Sequence, residues 1–153
     1  MKTANDSLAS VSWVEHQTLE HIKEALRVTL DWNAPAVSLQ RKRSSVRFTL
    51  QSFFRHLERV MSIEEMDGYL DRVVEQKPNL HVRIQRLSRD HQQFRTRVAQ
   101  LAPLLDSLNE WQDADFDEAC HEIRDLLDAV DRHDHEEVRL LQEALSTDEG
   151  GEG

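Results

Sequence analysis

The chain has 153 residues, a formal net charge of -10, 31% charged residues and only four glycines and three prolines. This length suits one domain with a buried core, and the composition is typical of a helical protein. The negative charge opposes non-specific binding to nucleic acid or to an anionic membrane, and no apolar run has the ~18 residues of a membrane span. We therefore expect no nucleic-acid or membrane partner. With Cys120 as its one cysteine and no apolar leader segment, the chain is expected to be cytoplasmic.

The first predicted helix runs from Val11 to about Trp32, after a polar and flexible N-terminus at residues 1–10. It carries two histidines, His16 and His21, on different rows of the helix. The row of His16 holds the bulkier apolar side chains, which favours His16 as the inward-facing residue and leaves His21 as the alternative. The apolar residues that share the row of His16 are Leu19, Leu26 and Leu30.

The second predicted helix begins at Ser38 or at Ser44 and ends near Gln76, because a residue before proline avoids helical geometry and Pro78 follows. One acidic residue, Glu64, interrupts its apolar seam. Gly68 lies inside the helical pattern and predicts a kink or a close approach of another helix. The seam consists of Val46, Leu50, Phe53, Leu57, Val60 and Glu64.

The third predicted helix starts near Leu80 and has the most regular seam of the four. Its single polar member is His91, at the centre of the row. Pro103 predicts either a kink or an early end of the helix. The seam consists of Leu80, Ile84, Leu87, His91, Phe94, Val98 and Leu101.

The fourth predicted helix follows a connection at residues 109–115, with Asp115 as its N-cap, and ends at Leu145 before a disordered acidic tail at residues 148–153. Two polar residues one turn apart, His133 and Glu137, stand where its seam should be apolar. The seam consists of Ile123, Leu126, Val130, His133, Glu137, Leu140 and Ala144.

Four long amphipathic helices joined by short links predict an all-α fold, an antiparallel up-and-down four-helix bundle over residues 11–147. We expect one domain with no internal repeat.

The polar residues inside the seams come from all four helices and lie a few turns from the helix ends. Buried imidazole and carboxylate groups need partners. Their nitrogen and oxygen atoms are the ligands that iron, manganese and zinc take in the core of a bundle. Two interpretations follow from the residues, a metal centre or a hydrogen-bonded polar network without metal. The set consists of Glu64, His91, His133 and Glu137, with His16 or His21 from the first helix.

This arrangement resembles the hemerythrin-like, or HHE, family of four-helix bundles. Proteins of that family hold a diiron site with a histidine on helix one, His-x-x-x-Glu on helix two, a histidine on helix three and His-x-x-x-Glu on helix four. The resemblance covers about residues 12 to 145. The matching stretches are Glu15-His16-Gln17-Thr18-Leu19, Val60-Met61-Ser62-Ile63-Glu64, Arg89-Asp90-His91 and His133-Asp134-His135-Glu136-Glu137.

The chain departs from the family pattern at Val60, which occupies the place of the helix-two histidine and cannot bind a metal. His56 lies one turn further from Glu64, and a water, His21 or His56 is left as a substitute ligand. The outcomes are an asymmetric two-metal site, a single-metal site or a site without metal. The metal ligands that the resemblance implies are His16, Glu64, His91, His133 and Glu137.

The function that the resemblance implies is binding of one or two non-haem iron ions, or of another divalent metal, rather than enzymatic turnover. Two irons imply binding of dioxygen or another small ligand, or redox sensing. One iron implies iron sensing, storage or delivery, and peroxide handling. The alternative function is a metal-free bundle that contacts a protein partner or a second copy, through its acidic surface or through the basic cluster at residues 41–47.

The remaining histidines lie off the apolar seams. We expect His81, His121 and His135 at the surface. Tyr69, close to Glu64 along the helix, is expected either to reach a carboxylate ligand with its hydroxyl group or to pack at the end of the core.

Overall fold

The structure, a computed structural model, describes residues 4–33, 38–110 and 113–149; at residues 4–12, 67, 69, 108–110 and 146–149 it describes the backbone alone. Regular structure in these ranges is entirely helical, which confirms the all-α prediction. None of the described helices combines the length and the apolar composition needed to cross a lipid bilayer. The helices are α1 (Ala4–Leu30), α2 (Leu39–Asp67), α3 (Tyr69–Gln76), α4 (His81–Leu101) and α5 (Asp113–Glu149), with 3₁₀ segments at Pro78–Leu80 and Ala102–Glu110.

The first and last helices are longer than predicted. Helix α1 begins at Ala4 instead of Val11, and α5 continues to Glu149 instead of ending at Leu145. Once a helix is nucleated, each added residue needs only one more backbone hydrogen bond and no burial, so polar ends extend it. Helix α5 also begins before Asp115, which lies in its first turn and is not the N-cap. Residues 148 and 149 of the tail predicted at residues 148–153 belong to α5, and residues 150–153 lie outside the described residues.

The second predicted helix is in fact two helices. Ser38 is the N-cap of α2, because its hydroxyl oxygen accepts a hydrogen bond from the Arg41 backbone N–H at 3.1 Å, and the alternative start at Ser44 is wrong. At the other end, Gly68 has φ 65° and ψ 16°, the left-handed conformation that ends helices. A Cβ atom at this position would meet no described atom within 4 Å. Gly68 therefore ends α2 for a conformational reason, and no helix of the described ranges packs closely against it.

Helix α4 takes the early end that Pro103 predicted. The α-helix stops at Leu101 and the chain continues as a 3₁₀ segment from Ala102 to Glu110. Proline lacks the N–H group that the next α-helical hydrogen bond requires, so the backbone changes its pattern there.

The apolar core is divided in two. A larger cluster contains Phe53, Phe94 and Val130, and a smaller one contains Leu87 and Leu140. Along α4 and α5 the residues between the two clusters are the polar ones that interrupt the seams. We call these residues the polar layer; they are Glu64, His91, His133 and Glu137, each at most 6% exposed.

Contacts between neighbouring helices pair rising residue numbers on one helix with falling numbers on the other. This order is compatible with the predicted antiparallel up-and-down arrangement. The pairs are Glu15–His56 and Trp32–Lys42 for α1 and α2, Lys23–Asp131 and Leu30–Arg124 for α1 and α5, Glu58–Arg95 and Glu64–His91 for α2 and α4, and Arg83–Glu143 and Asp90–His133 for α4 and α5.

A buried lysine joins α1 to α5. Lys23 is 3% exposed, and its Nζ donates hydrogen bonds to Asp131 at 2.7 Å and Asp134 at 3.1 Å and lies 2.8 Å from a Glu20 carboxylate oxygen. Burial alone would lower the pKa of Lys23, but the hydrogen bonds to Asp131 and Glu20 outweigh it and raise this pKa above its usual value. The lysine is therefore held in its charged form among three carboxylates.

Lys23→Met is expected to lower the free energy of unfolding by about 3 kcal/mol, because it leaves Asp134 without its cation and Asp131 with Arg27 alone. Urea denaturation of the metal-free protein measures this loss. Arg27→Met is the control: Arg27 pairs with Asp128 and Asp131 nearer the surface, so its loss is expected to stay within about 1 kcal/mol. Equal losses in the two variants would contradict the prediction.

Candidate metal centre

Glu64 lies at the middle of the polar layer and links three helices. Its Oε1 is 2.9 Å from His16 Nε2 on α1, and its Oε2 is 3.1 Å from His91 Nε2 on α4. The side chain of His16 is 37% exposed, so this residue stands at the edge of the layer while His91 lies inside it. His21, the alternative on α1, is exposed. The structure thus brings His16, and not His21, to the buried carboxylate.

His133 has one ring nitrogen engaged and one without a hydrogen bond. Its Nδ1 lies 2.8 Å from Asp90 Oδ2. Its Nε2 is buried and has no hydrogen-bond partner, and Glu137 Oε2 lies 3.6 Å from it. The ring centroid of His91 is 5.0 Å from that of His133. A histidine held by a carboxylate through one nitrogen, with the other nitrogen free, has the arrangement that histidine ligands of metals show.

The donor atoms of the layer form two overlapping groups. Glu64, His91 and His133 each offer one atom within 4.8 Å of the others, and so do His133, Asp134 and Glu137. The first group is fully buried and contains two histidines and one carboxylate, a combination typical of non-haem iron(II) sites. His133 belongs to both groups, so a metal ion bound to His133 could take its further ligands from either group.

The two carboxyl groups of the layer have opposite pKa shifts. Burial would raise the pKa of Glu64, but hydrogen bonds with His16 and His91 outweigh it and lower this pKa. Burial and then the charge of Glu64 raise the pKa of Glu137. Two buried carboxyl groups this close resist ionising together, and a cation between them would remove the conflict. The donor chemistry and the unpartnered His133 nitrogen therefore both fit a divalent metal ion.

A cavity of about 10 Å³, with room for about one water molecule, lies beside these donors. Its lining includes the donors Glu64, His91 and His133 and apolar side chains of α2, Leu57, Val60 and Met61. Val60, where the resemblance to the HHE family leads us to expect a histidine, is 5% exposed and belongs to the larger apolar cluster. The centre is therefore rich in donors on the side of α4 and α5 and apolar along this part of α2.

His56, a possible substitute ligand, lies apart from these donors. Its Nδ1 lies 3.2 Å from Glu15 Oε2, and it is absent from the donor groups found among the described residues. The predictions for the off-seam histidines are confirmed, since His81, His121 and His135 are all exposed. The side chain of Tyr69, expected near a carboxylate ligand or at the end of the core, lies outside the described residues.

The basic cluster at residues 41–47 is partly used within the fold. Arg43 is 7% exposed, donates to Asp113 at 3.2 Å and lies over the ring of Phe116 at 5.2 Å. Arg47 donates to Asp106 at 3.2 Å. These two guanidinium groups hold α2 to the connection before α5 and to α5 itself, and they are not a free patch for a partner.

Several acidic residues that contact the polar layer were not predicted from the sequence, because they lie one position away from the apolar seams. Asp90 precedes His91 in the chain but contacts His133. Asp134 follows His133, and Glu65 follows Glu64 and lies 3.1 Å from His91 Nδ1. The sequence signal for them was an acidic residue next to each candidate ligand. Which helix that acidic side chain contacts depends on how the helices pack.

The comparisons with known proteins agree with this geometry. The family model described as "Hemerythrin HHE cation binding domain" matches residues 7–145. Neither curated proteins nor solved structures gave a match to the chain. The family match spans most of the sequence and includes every residue of the polar layer. The chain therefore belongs to the hemerythrin HHE cation-binding domain family.

Proposed function

We propose that this domain binds one non-haem iron ion through Glu64, His91, His133 and Glu137, and that it acts in iron sensing or storage. The observation that carries the proposal is the buried imidazole of His133: its Nε2 has no hydrogen-bond partner, and one of its ring nitrogens lies within 4.8 Å of donor atoms of Glu64 and His91. An unpartnered buried nitrogen is destabilising unless something binds it. A divalent cation is the ligand that its neighbours fit.

His16 supports a second, incomplete position. It contacts the Glu64 oxygen that faces away from His91, and Val60 offers no nitrogen one turn before Glu64. One histidine with shared carboxylates is a poorer donor set than two histidines with the same carboxylates. We therefore assign the resident ion to the side of His91 and His133, with His16 as the remaining donor on the other side.

The residues around the ion determine what it does. Iron, when bound, supplies one-electron redox chemistry and a coordination position for a small ligand such as dioxygen. Asp90 holds His133 Nδ1 and so directs Nε2 inward and makes it more basic. Phe94 packs edge-on against the His133 ring at 5.4 Å between centroids, and Val130 also lines the cavity. These side chains exclude bulk water, and the small cavity admits only a ligand of very few atoms.

Metal analysis tests the proposal directly. Protein made in iron-supplemented medium is expected to contain roughly one iron per chain. Chelation is expected to lower Tm by about 10 °C, because a metal present at a thousandfold its Kd adds about 4 kcal/mol to the free energy of unfolding. If the protein contains no metal and neither iron nor chelator changes its Tm, the proposal is overturned and the metal-free interaction module is favoured.

Asp90→Asn is expected to weaken iron(II) binding about ten- to a hundredfold, since an amide orients and polarises His133 less well than a carboxylate does. A competition titration against a chromophoric chelator measures the affinity. Asp125→Asn, a change of the same type at an exposed position of α5, is the control and should leave the affinity unchanged. Equal affinity in the two variants would show that Asp90 has no influence on the centre.

A further inference from the structure

A groove on the surface between α4 and α5 has features of a ligand site distinct from the metal centre. Its volume is about 450 Å³, within the range of small-molecule pockets. Three arginines of α4 line it, Arg83, Arg86 and Arg89, and the buried side chains of Leu87 and Leu140 form its apolar base. The groove thus combines cationic walls with an apolar floor.

Most charged groups in this groove already have partners. Arg83 forms an ion pair with Glu143, and the carboxylate of Asp90 contacts His133. Glu136, the other acidic residue of the lining, accepts a hydrogen bond from Arg139 at 3.3 Å.

Arg86 and Arg89 differ from these groups. Neither has an ion pair or a side-chain hydrogen bond with any residue in the described ranges 4–33, 38–110 and 113–149. Two uncompensated guanidinium groups thus line one groove of a chain whose net charge is -10. Like charges placed together attract an oppositely charged ligand into the cleft between them.

We propose that this groove binds a small organic oxyanion, a carboxylate or a phosphate, through Arg86 and Arg89. A guanidinium group presents its N–H donors in a planar fork that matches the oxygen atoms of either anion. The apolar part of the ligand packs on Leu87 and Leu140. The ligand lies beside Asp90, the residue that holds His133, so this site adjoins the metal centre without using its donors.

Calorimetric titration of the full chain tests the site. The probes are phenyl phosphate and benzoate, which separate phosphate from carboxylate, with inorganic phosphate to test the apolar contact. We expect saturable binding of an aromatic probe, weakened at least about tenfold by Arg86→Gln with Arg89→Gln. Arg41→Gln with Arg55→Gln is the control, because it removes the same charge from two exposed arginines outside the groove and should leave binding unchanged.

The other outcomes overturn the proposal. Absence of saturable binding of both aromatic probes, or equal weakening in the control, excludes the groove as an oxyanion site. Inorganic phosphate that binds as tightly as phenyl phosphate excludes an organic ligand. Binding of a hexaglutamate peptide without either aromatic probe assigns the groove to a protein partner. Arg89→Gln alone serves if the double variant is unstable, and chelated protein is titrated in parallel so that the result does not depend on the metal.

Discussion

Val60→His is expected to raise the iron content from roughly one to roughly two ions per chain. Position 60 lies one helical turn before Glu64, so an imidazole there shares the face of that carboxylate. The side chain already lines the cavity beside His91 and His133. With His16 on the other oxygen of Glu64, the new histidine would give the second position two nitrogen donors and a shared carboxylate.

Elemental analysis and an anaerobic ferrous titration measure the stoichiometry. Val60→Met is the matched control, a longer apolar side chain that offers no nitrogen, and it should stay at roughly one ion. Without metal, Val60→His should be less stable than the wild type by about 1–3 kcal/mol, because it buries an unpartnered imidazole. An unchanged stoichiometry would refute the second position, and two ions in the wild type would refute the single-ion proposal.

His133→Ala is expected to weaken iron(II) binding by more than about a hundredfold, since loss of a ligand must exceed the effect of losing its outer partner Asp90. The metal-free variant should keep most of its stability, because the substitution also removes a buried nitrogen without a partner. Loss of metal binding in a variant that still folds would identify His133 as a metal ligand, whereas a packing residue would mainly affect stability.

His16→Ala provides the comparison for this second experiment. His16 is more exposed than His133 and contacts Glu64 through Oε1, the oxygen that does not face His91. We therefore expect its loss to weaken binding of the single iron(II) ion by less than about tenfold. Chelator competition and urea denaturation are measured for both variants. A larger loss of affinity in His16→Ala than in His133→Ala would show that the ion binds on the His16 side of Glu64, which contradicts our proposal.

The inward positions of Glu64, His91, His133 and Glu137 were all predictable from the sequence. Each occupies a place in an apolar row of period 3.5 to 3.6, and a helix that buries the row must bury the polar residue with it. The resemblance to the HHE family rested on the same positions and is confirmed by the family match over residues 7–145. The roles of these residues as metal ligands remain our proposal.

The choice between His16 and His21 lay at the limit of sequence reasoning. The two residues differ by 140° around one helix, and both rows contain apolar side chains. Only the position of α1 against α2 decides the matter, because it sets His16 beside Glu64 and leaves His21 in solvent. The division of the second predicted helix at Gly68 was equally open, since a glycine within a helical pattern fits a kink, a close approach or a helix end.

The sequence by itself determined the helices, the side of each helix that is buried and the polar residues buried with it, because periodicity is a local property of the chain. The tertiary structure alone decided which atoms meet across helices. In the tertiary structure Asp90 contacts His133, and Lys23 lies between Asp131 and Asp134. One nitrogen of His133 has no hydrogen-bond partner. Such contacts depend on the register and rotation of one helix against another, and these are fixed by the packing of the whole core and by no single segment.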